Sequence, residues 1–230
     1  MIKLKSVIGN FSRVEILLWG ASAVITVLSF LIFDRTNYLT LTALLIGVTS
    51  LIFNAKGNPI GQLLTVIFSI LYGIISYSFS YYGEMITYLG MTAPMAVFAL
   101  VSWLRNPYNG NKAEVRVNHI KIGEVYFMTA LTAVVTFGFY HILKAFNTAN
   151  LAFSTVSVTT SFLAVYLTFR RSPLYALAYA ANDIVLIVLW GVAACSDSSY
   201  ISVIVCFIMF LLNDVYGYIN WQRMSKRQRS

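Results

Sequence analysis

The chain has 230 residues, 59% of them hydrophobic and 10% charged, with a net charge of +8 and a mean hydropathy of +0.75. This excludes an ordinary soluble domain, whose exterior needs far more polar surface. It also argues against a nucleic-acid-binding protein, because the cations sit in short loops and tails beside apolar runs instead of along one basic face. A bilayer solvates apolar side chains but requires every backbone polar group to be satisfied within helices or a closed barrel, and long runs without alternation select helices. The chain is therefore expected to be an all-α integral membrane protein, one membrane domain over 1–230 with the lipid bilayer as its first partner.

Spans of about 17 to 25 apolar residues are predicted at 15–33, 38–54, 60–80, 86–103, 123–146, 151–169, 174–194 and 199–221. The first has a basic flank like a signal peptide, but its apolar run is too long and no small-residue cleavage site follows, so it is read as retained. The connections are short and polar, and only 104–122 is longer. Cations gather on the cytoplasmic side of membrane proteins. Fourteen of the sixteen fall on one side: Lys3, Lys5, Arg13, Lys56, Arg105, Lys112, Arg116, Lys121, Arg170, Arg171, Arg223, Lys226, Arg227 and Arg229; Arg35 and Lys144 fall on the other. Both termini are thus predicted to be cytoplasmic in the inner membrane, with Asp34, Glu84 and Asp197 outside.

Asn58-Pro59 opens a helix pair that ends at Trp103-Leu104-Arg105, and Ser172-Pro173 opens a pair of nearly equal length that ends at Trp221-Gln222-Arg223. Each pair follows a span that ends in a cation, so the repeat is three helices, 38–103 and 151–221. The span at 123–146 returns the chain so that the second copy runs parallel to the first. This 3+1+3 plan, with 15–33 as an extra N-terminal helix, is the SWEET-like arrangement, in which two triple-helix units enclose a site near the midplane.

A charged residue at the bilayer centre is costly and marks function by default. Only Asp183 and Asp214 lie deep in spans, each preceded by an asparagine, Asn182 and Asn213. At about 100° per residue, Tyr175, Tyr179, Asn182 and Trp190 share one face of the seventh span, and Asn213, Tyr216 and Asn220 one face of the eighth. In the third span Gln62, Ser69, Gly73, Ser76 and Ser80 form a small polar stripe. The candidate substrate-binding set is Tyr175, Tyr179, Asn182, Asp183 and Trp190, Asn213, Asp214, Tyr216 and Asn220, with Gln62 and Ser69, the asparagines offering both donors and acceptors. The alternative for the Asn-Asp pairs is structural hydrogen bonding between helices. Trp103, Trp221, Tyr81 and Tyr82, at span ends, are expected to be interfacial anchors.

No enzyme signature is present: no His-Glu-x-x-His, no cysteine pair at ligand spacing and no phosphate-binding glycine loop. Cys195 and Cys206 read as small apolar residues, and His119 and His141 have no carboxylate nearby in sequence. A transporter with no metal and no cofactor is expected.

The segments Tyr-Ala-Ala-Asn-Asp-Ile-Val-Leu-Ile-Val-Leu-Trp at 179–190 and Asn-Asp-Val-Tyr-Gly-Tyr-Ile-Asn-Trp-Gln-Arg-Met at 213–224 resemble the PnuC family of vitamin transporters. Gly57-Asn58-Pro59, Tyr81-Tyr82-Gly83-Glu84 and Trp103 are similar too, so that the resemblance covers about 38–224. It implies uptake of nicotinamide riboside by facilitated diffusion through a SWEET-like fold, often in a homotrimer, with the substrate trapped by a cytoplasmic kinase. Relatives move riboflavin, thiamine or deoxynucleosides. Members specific for nicotinamide riboside use tryptophan-rich stacking and an asparagine in the penultimate helix; here Tyr175 and Tyr179 precede Asn182, with Trp190 farther out, which leaves the choice of vitamin open.

Overall fold

The structure, a computed structural model, describes residues 11–78, 81–148 and 150–229. Lys3, Lys5 and Ser80 lie outside the described residues. Eight helices are long and apolar enough to cross a bilayer: α1 (Arg13–Phe33), α2 (Tyr38–Ala55), α3 (Pro59–Ser78), α4 (Tyr82–Arg105), α5 (Ile122–Ala145), α6 (Leu151–Phe169), α7 (Tyr175–Ala194) and α8 (Ile201–Arg229). Successive helices reverse direction, so the start of α1 and the end of α8 share one end of the bundle, the terminal end.

Most of the core lies between α2, α3, α4, α6, α7 and α8. A capping box starts α1: Glu15 donates its backbone N–H to the Ser12 hydroxyl, while its carboxylate accepts the Ser12 N–H and pairs with Lys56 at 3.0 Å. The helix packs on α2 and α8. Only 6% of the apolar window of α5 is buried, and that helix rests mainly on α6, which leaves most of its surface for lipid or another chain.

The turns α2–α3 and α6–α7 are built alike. Asn58 donates its N–H to Phe53 and Gly57 to Asn54; in the second turn Ser172 donates to Leu167 and Arg171 to Thr168, at 2.9–3.0 Å. These bonds satisfy carbonyls that a helix end otherwise leaves orphaned. They require a left-handed residue, and Gly57 (φ 66°) and Arg171 (φ 57°) supply it. A side chain in that conformation costs about 1–2 kcal/mol, and a Cβ on Gly57 would also press against Met224 and Val115. Gly57→Ala is accordingly expected to lower stability by about 1–2 kcal/mol, read as a lower melting temperature in detergent; an unchanged melting curve would contradict this account of the turn.

The polar segment 104–122 is more ordered than a plain loop. Strands β1 (Pro107–Tyr108) and β2 (Asn111–Val115) pair antiparallel around Asn109-Gly110, both at positive φ, the type I′ geometry this dipeptide favours. Val115 then donates to the Gly57 carbonyl and Asn118 to that of Arg171, lacing the two equivalent turns together.

Two expectations are corrected. Trp103 and Trp221 are not interfacial anchors: both are 0% exposed. The Trp221 indole donates to the Asn54 carbonyl at 2.8 Å and that of Trp103 to Thr168 at 2.9 Å. Trp221 of α8 thus caps the end of α2 and Trp103 of α4 the end of α6, with ring centroids 5.4 Å apart; a buried indole N–H needs a partner, and helix-end carbonyls provide one. Glu84 is not on the outer surface either, because α4 begins at Tyr82 rather than near 86 and draws the carboxylate, 1% exposed, into its first turn. Tyr81 is buried with it, its ring 4.7 Å from Trp190.

Candidate functional site

A cavity of about 40 Å³ lies where α2, α3, α4, α7 and α8 meet. A wider groove of about 600 Å³ between α5 and α6 is lined by Phe137, Tyr140, Leu163 and a row of threonines. Its lining holds no Asp, Glu, Lys, Arg or His, so the chemistry points to the smaller cavity.

On α7 the cavity wall consists of Tyr179, Asn182 and Asp183, and on α8 of Phe207, Phe210 and Asp214. The Asn182 carbonyl accepts the hydroxyls of Thr160 (2.8 Å) and Ser161 (2.9 Å) on α6. That fixes the amide so that its NH2, a double donor, is left to the cavity. Asp183 and Asp214 adjoin each other in the cavity wall, where two buried carboxyls repel each other if both are charged. The second carboxylate oxygen of Asp183 has no partner among the described residues.

The opposite wall comes from Asn54, Thr65, Phe68, Ser69, Tyr88 and Thr92. Asn54 is held rigid, its carbonyl accepting Gln62 at 2.8 Å and its amide donating to Thr65 at 3.1 Å. Tyr88–Thr92 is a π turn, closed by the Ala93 N–H on the Tyr88 carbonyl. Its extra residue shifts the register of α4 at the cavity, a common device at functional sites. Aromatic clusters close both ends. On the far side Tyr72 lies 4.4 Å from Tyr88 and accepts the Trp190 indole at 2.7 Å; on the terminal side Tyr175 packs 4.9 Å from Trp221.

Of the residues predicted from sequence, Tyr179, Asn182, Asp183, Asp214 and Ser69 line the cavity. Tyr175 and Trp190 lie on the same face of α7 but in the closing clusters below and above it. Gln62 supports Asn54 from behind. The remaining three point elsewhere. Asn213 donates to Ser22 of α1 at 2.9 Å, Tyr216 to Glu15 at 3.3 Å and Asn220 to the Ala55 carbonyl at 2.8 Å. Helix α8 is packed on several sides, so its polar residues serve more than one neighbour. The cavity face is Phe207, Phe210 and Asp214, about 100° round from Asn213.

Sequence reasoning missed the rest of the lining, among them Asn54, Phe68, Tyr88, Thr92, Phe207 and Phe210. For Tyr88 and Thr92 a signal existed: Gly90 and Pro94 interrupt the fourth span at mid-depth, as do broken helices around transporter sites.

Residues 37–223 match the sequence model of the family described as nicotinamide mononucleotide transporter. The chain belongs to that family. It is 29% identical over 224 residues to a nicotinamide riboside transporter PnuC of Neisseria mucosa, covering 95% of this chain and 83% of that protein. A second nicotinamide riboside transporter PnuC, from Haemophilus influenzae, is 22% identical over 192 residues, covering 83% and 82%. A crystal structure of the vitamin B3 transporter PnuC superposes with a TM-score of 0.86 at 25% identity, over 98% of this chain and 97% of that one. The fold and the family are thus those of a multi-pass membrane transporter, not an enzyme.

Proposed function

We propose that this chain carries nicotinamide riboside across the inner membrane by facilitated diffusion, with Asn182, Tyr179 and the Asp183–Asp214 pair forming the central site. The cavity wall supports the riboside over its phosphorylated form. Among the described lining residues it has two acids and no Lys, Arg or His, a poor match for a phosphate but a good one for a pyridinium ring with a carboxamide and ribose hydroxyls. The names of the relatives agree with this choice.

Ligand sites for such molecules measure about 300–1,000 Å³, so a cavity of about 40 Å³ must widen to admit one. The parallel units 38–103 and 151–221, joined by α5, provide the moving parts, rocking so that the Tyr72–Tyr88–Trp190 cluster and the Tyr175–Trp221–Trp103 cluster part in alternation. The terminal end, which carries twelve of the fourteen described basic residues, faces the cytoplasm. There a riboside kinase traps the substrate. The exposed apolar face of α5 provides a contact for a homo-oligomer such as a trimer.

Purified protein in liposomes tests the reading. Labelled nicotinamide riboside is expected to equilibrate to the external concentration without an ion gradient, with little competition from nicotinamide mononucleotide. Accumulation above that level, driven by a proton gradient with no kinase inside, would contradict facilitated diffusion. Faster exchange of thiamine, riboflavin or a deoxynucleoside would reassign the substrate within the family. Single cysteines at Ser198 and Asn111, in a background without Cys195 and Cys206, are expected to label from opposite sides of the membrane. Labelling from the same side would sink the eight-span topology.

A further inference from the structure

Beyond the central cavity, at the far end of the bundle, Glu84 is 1% exposed, and neither of its carboxylate oxygens has a hydrogen-bond partner among the described residues. The three ion pairs among the described residues involve Glu15, Glu114 and Glu124, all at the terminal end. A buried carboxylate without a partner is costly, and a stable fold keeps one only if something compensates it.

The surroundings of Glu84 indicate what kind of group that is. The rings of Tyr72, Tyr81 and Tyr88 all lie within electrostatic range of its carboxyl. The Ser157 hydroxyl of α6 stands beside it without a bond of good geometry. Tyr88 also lines the central cavity. Because α3 and α4 run antiparallel and Tyr72 meets Tyr88 at 4.4 Å, Glu84 and Ser76 lie one turn farther out from that pair. Ser76 too is buried and unbonded. Outward from Asn182 and Tyr88 in the cavity wall, the next turn of the same helix pair thus carries Ser76 and Glu84, with Tyr72, Tyr81 and Tyr88 near the acid.

We infer that Glu84 is the outer counter-charge for a cationic substrate, holding its pyridinium ring among the tyrosine rings before the ring passes Tyr88 into the central cavity. The inference rests on the riboside reading above. A carboxylate beside several aromatic faces is how proteins recognise organic cations, whereas a small inorganic cation needs a shell of oxygen ligands. The carboxylate speeds entry by offsetting the loss of water around the fixed positive charge, and it has no such effect on a neutral analogue of the same shape.

The test compares initial uptake into liposomes of nicotinamide riboside and of its neutral 1,4-dihydro form by the wild-type chain and by Glu84→Gln. The variant is expected to slow entry of the cationic riboside about tenfold at subsaturating concentration, while uptake of the dihydro form stays within about twofold of wild type. Glu84→Asp, which keeps the charge, should restore part of the difference. If Glu84→Gln does not fold, Glu84→Met, which replaces the unpaired acid with an apolar side chain, gives the same comparison. Equal loss for both substrates, or loss for neither, overturns the inference while leaving the transport reading intact. Wild-type uptake stimulated by sodium and insensitive to it in the variant overturns it in favour of an inorganic cation. A wild-type chain that moves neither riboside overturns the function and this subsite together.

Discussion

Replacing Asn182 with leucine is expected to weaken riboside binding by about 1–3 kcal/mol, the cost of a lost hydrogen bond in a closed site, which is roughly five- to 150-fold in Kd. The melting temperature of the empty protein should fall only slightly. The Asn182 carbonyl is bonded to Thr160 and Ser161; Thr160 also reaches the Val156 and Ser157 carbonyls and keeps a partner when the amide is gone, whereas the buried Ser161 hydroxyl loses its bond at about 1 kcal/mol. For affinity, what leucine removes is the NH2 donor facing the cavity. Asn213→Leu should differ in affinity. Its amide is bonded to Ser22 of α1 and to the Met209 carbonyl, so the substitution loosens the contact with α1 at a cost of about 1 kcal/mol and leaves affinity within about twofold. Calorimetric titration of both variants beside their melting curves decides the assignment. Undiminished affinity in Asn182→Leu would remove that residue from the site, and equal losses in both would show that affinity follows general packing.

The second large effect is expected at the acid pair. Asp183→Leu and Asp214→Leu each leave the other carboxyl buried beside an apolar side chain in place of its polar neighbour, at about 1–3 kcal/mol each. The double replacement removes both groups and leaves no stranded partner, so its cost should fall well short of the sum of the single costs. Melting temperatures of the two single variants and the double variant complete the cycle. Strict additivity would mean that the carboxyls act independently. All three variants are expected to bind the cationic riboside more weakly, since each removes or disturbs the negative charge at the cavity wall.

The position of Asn182 could be read from the sequence because a side-chain amide cannot face hydrocarbon at mid-depth, which left only protein or cavity. The same argument applied to Asn213 and was correct as far as it went. It could not distinguish a cavity from the flank of α1, since the neighbours of α8 are set by contacts nearly two hundred residues apart, as in the bond from Asn213 to Ser22. Trp103 and Trp221 show the same limit. A tryptophan near a span end most often marks the interface, and the sequence does not reveal that Trp103 meets the end of α6 and Trp221 the end of α2.

The sequence by itself determined the all-helical membrane class, the number of spans and the depth at which Asn182, Asp183 and Asp214 lie, because hydrophobic length and the cost of buried charge act locally along each helix. Tertiary structure decided which face of each helix meets the cavity, that the two acids adjoin, how Tyr88 and Thr92 reach the site through a π turn, and that Glu84 is enclosed instead of exposed. These outcomes depend on packing between distant segments, which sets side-chain partners after the spans are in place and leaves little trace in the local pattern of residues.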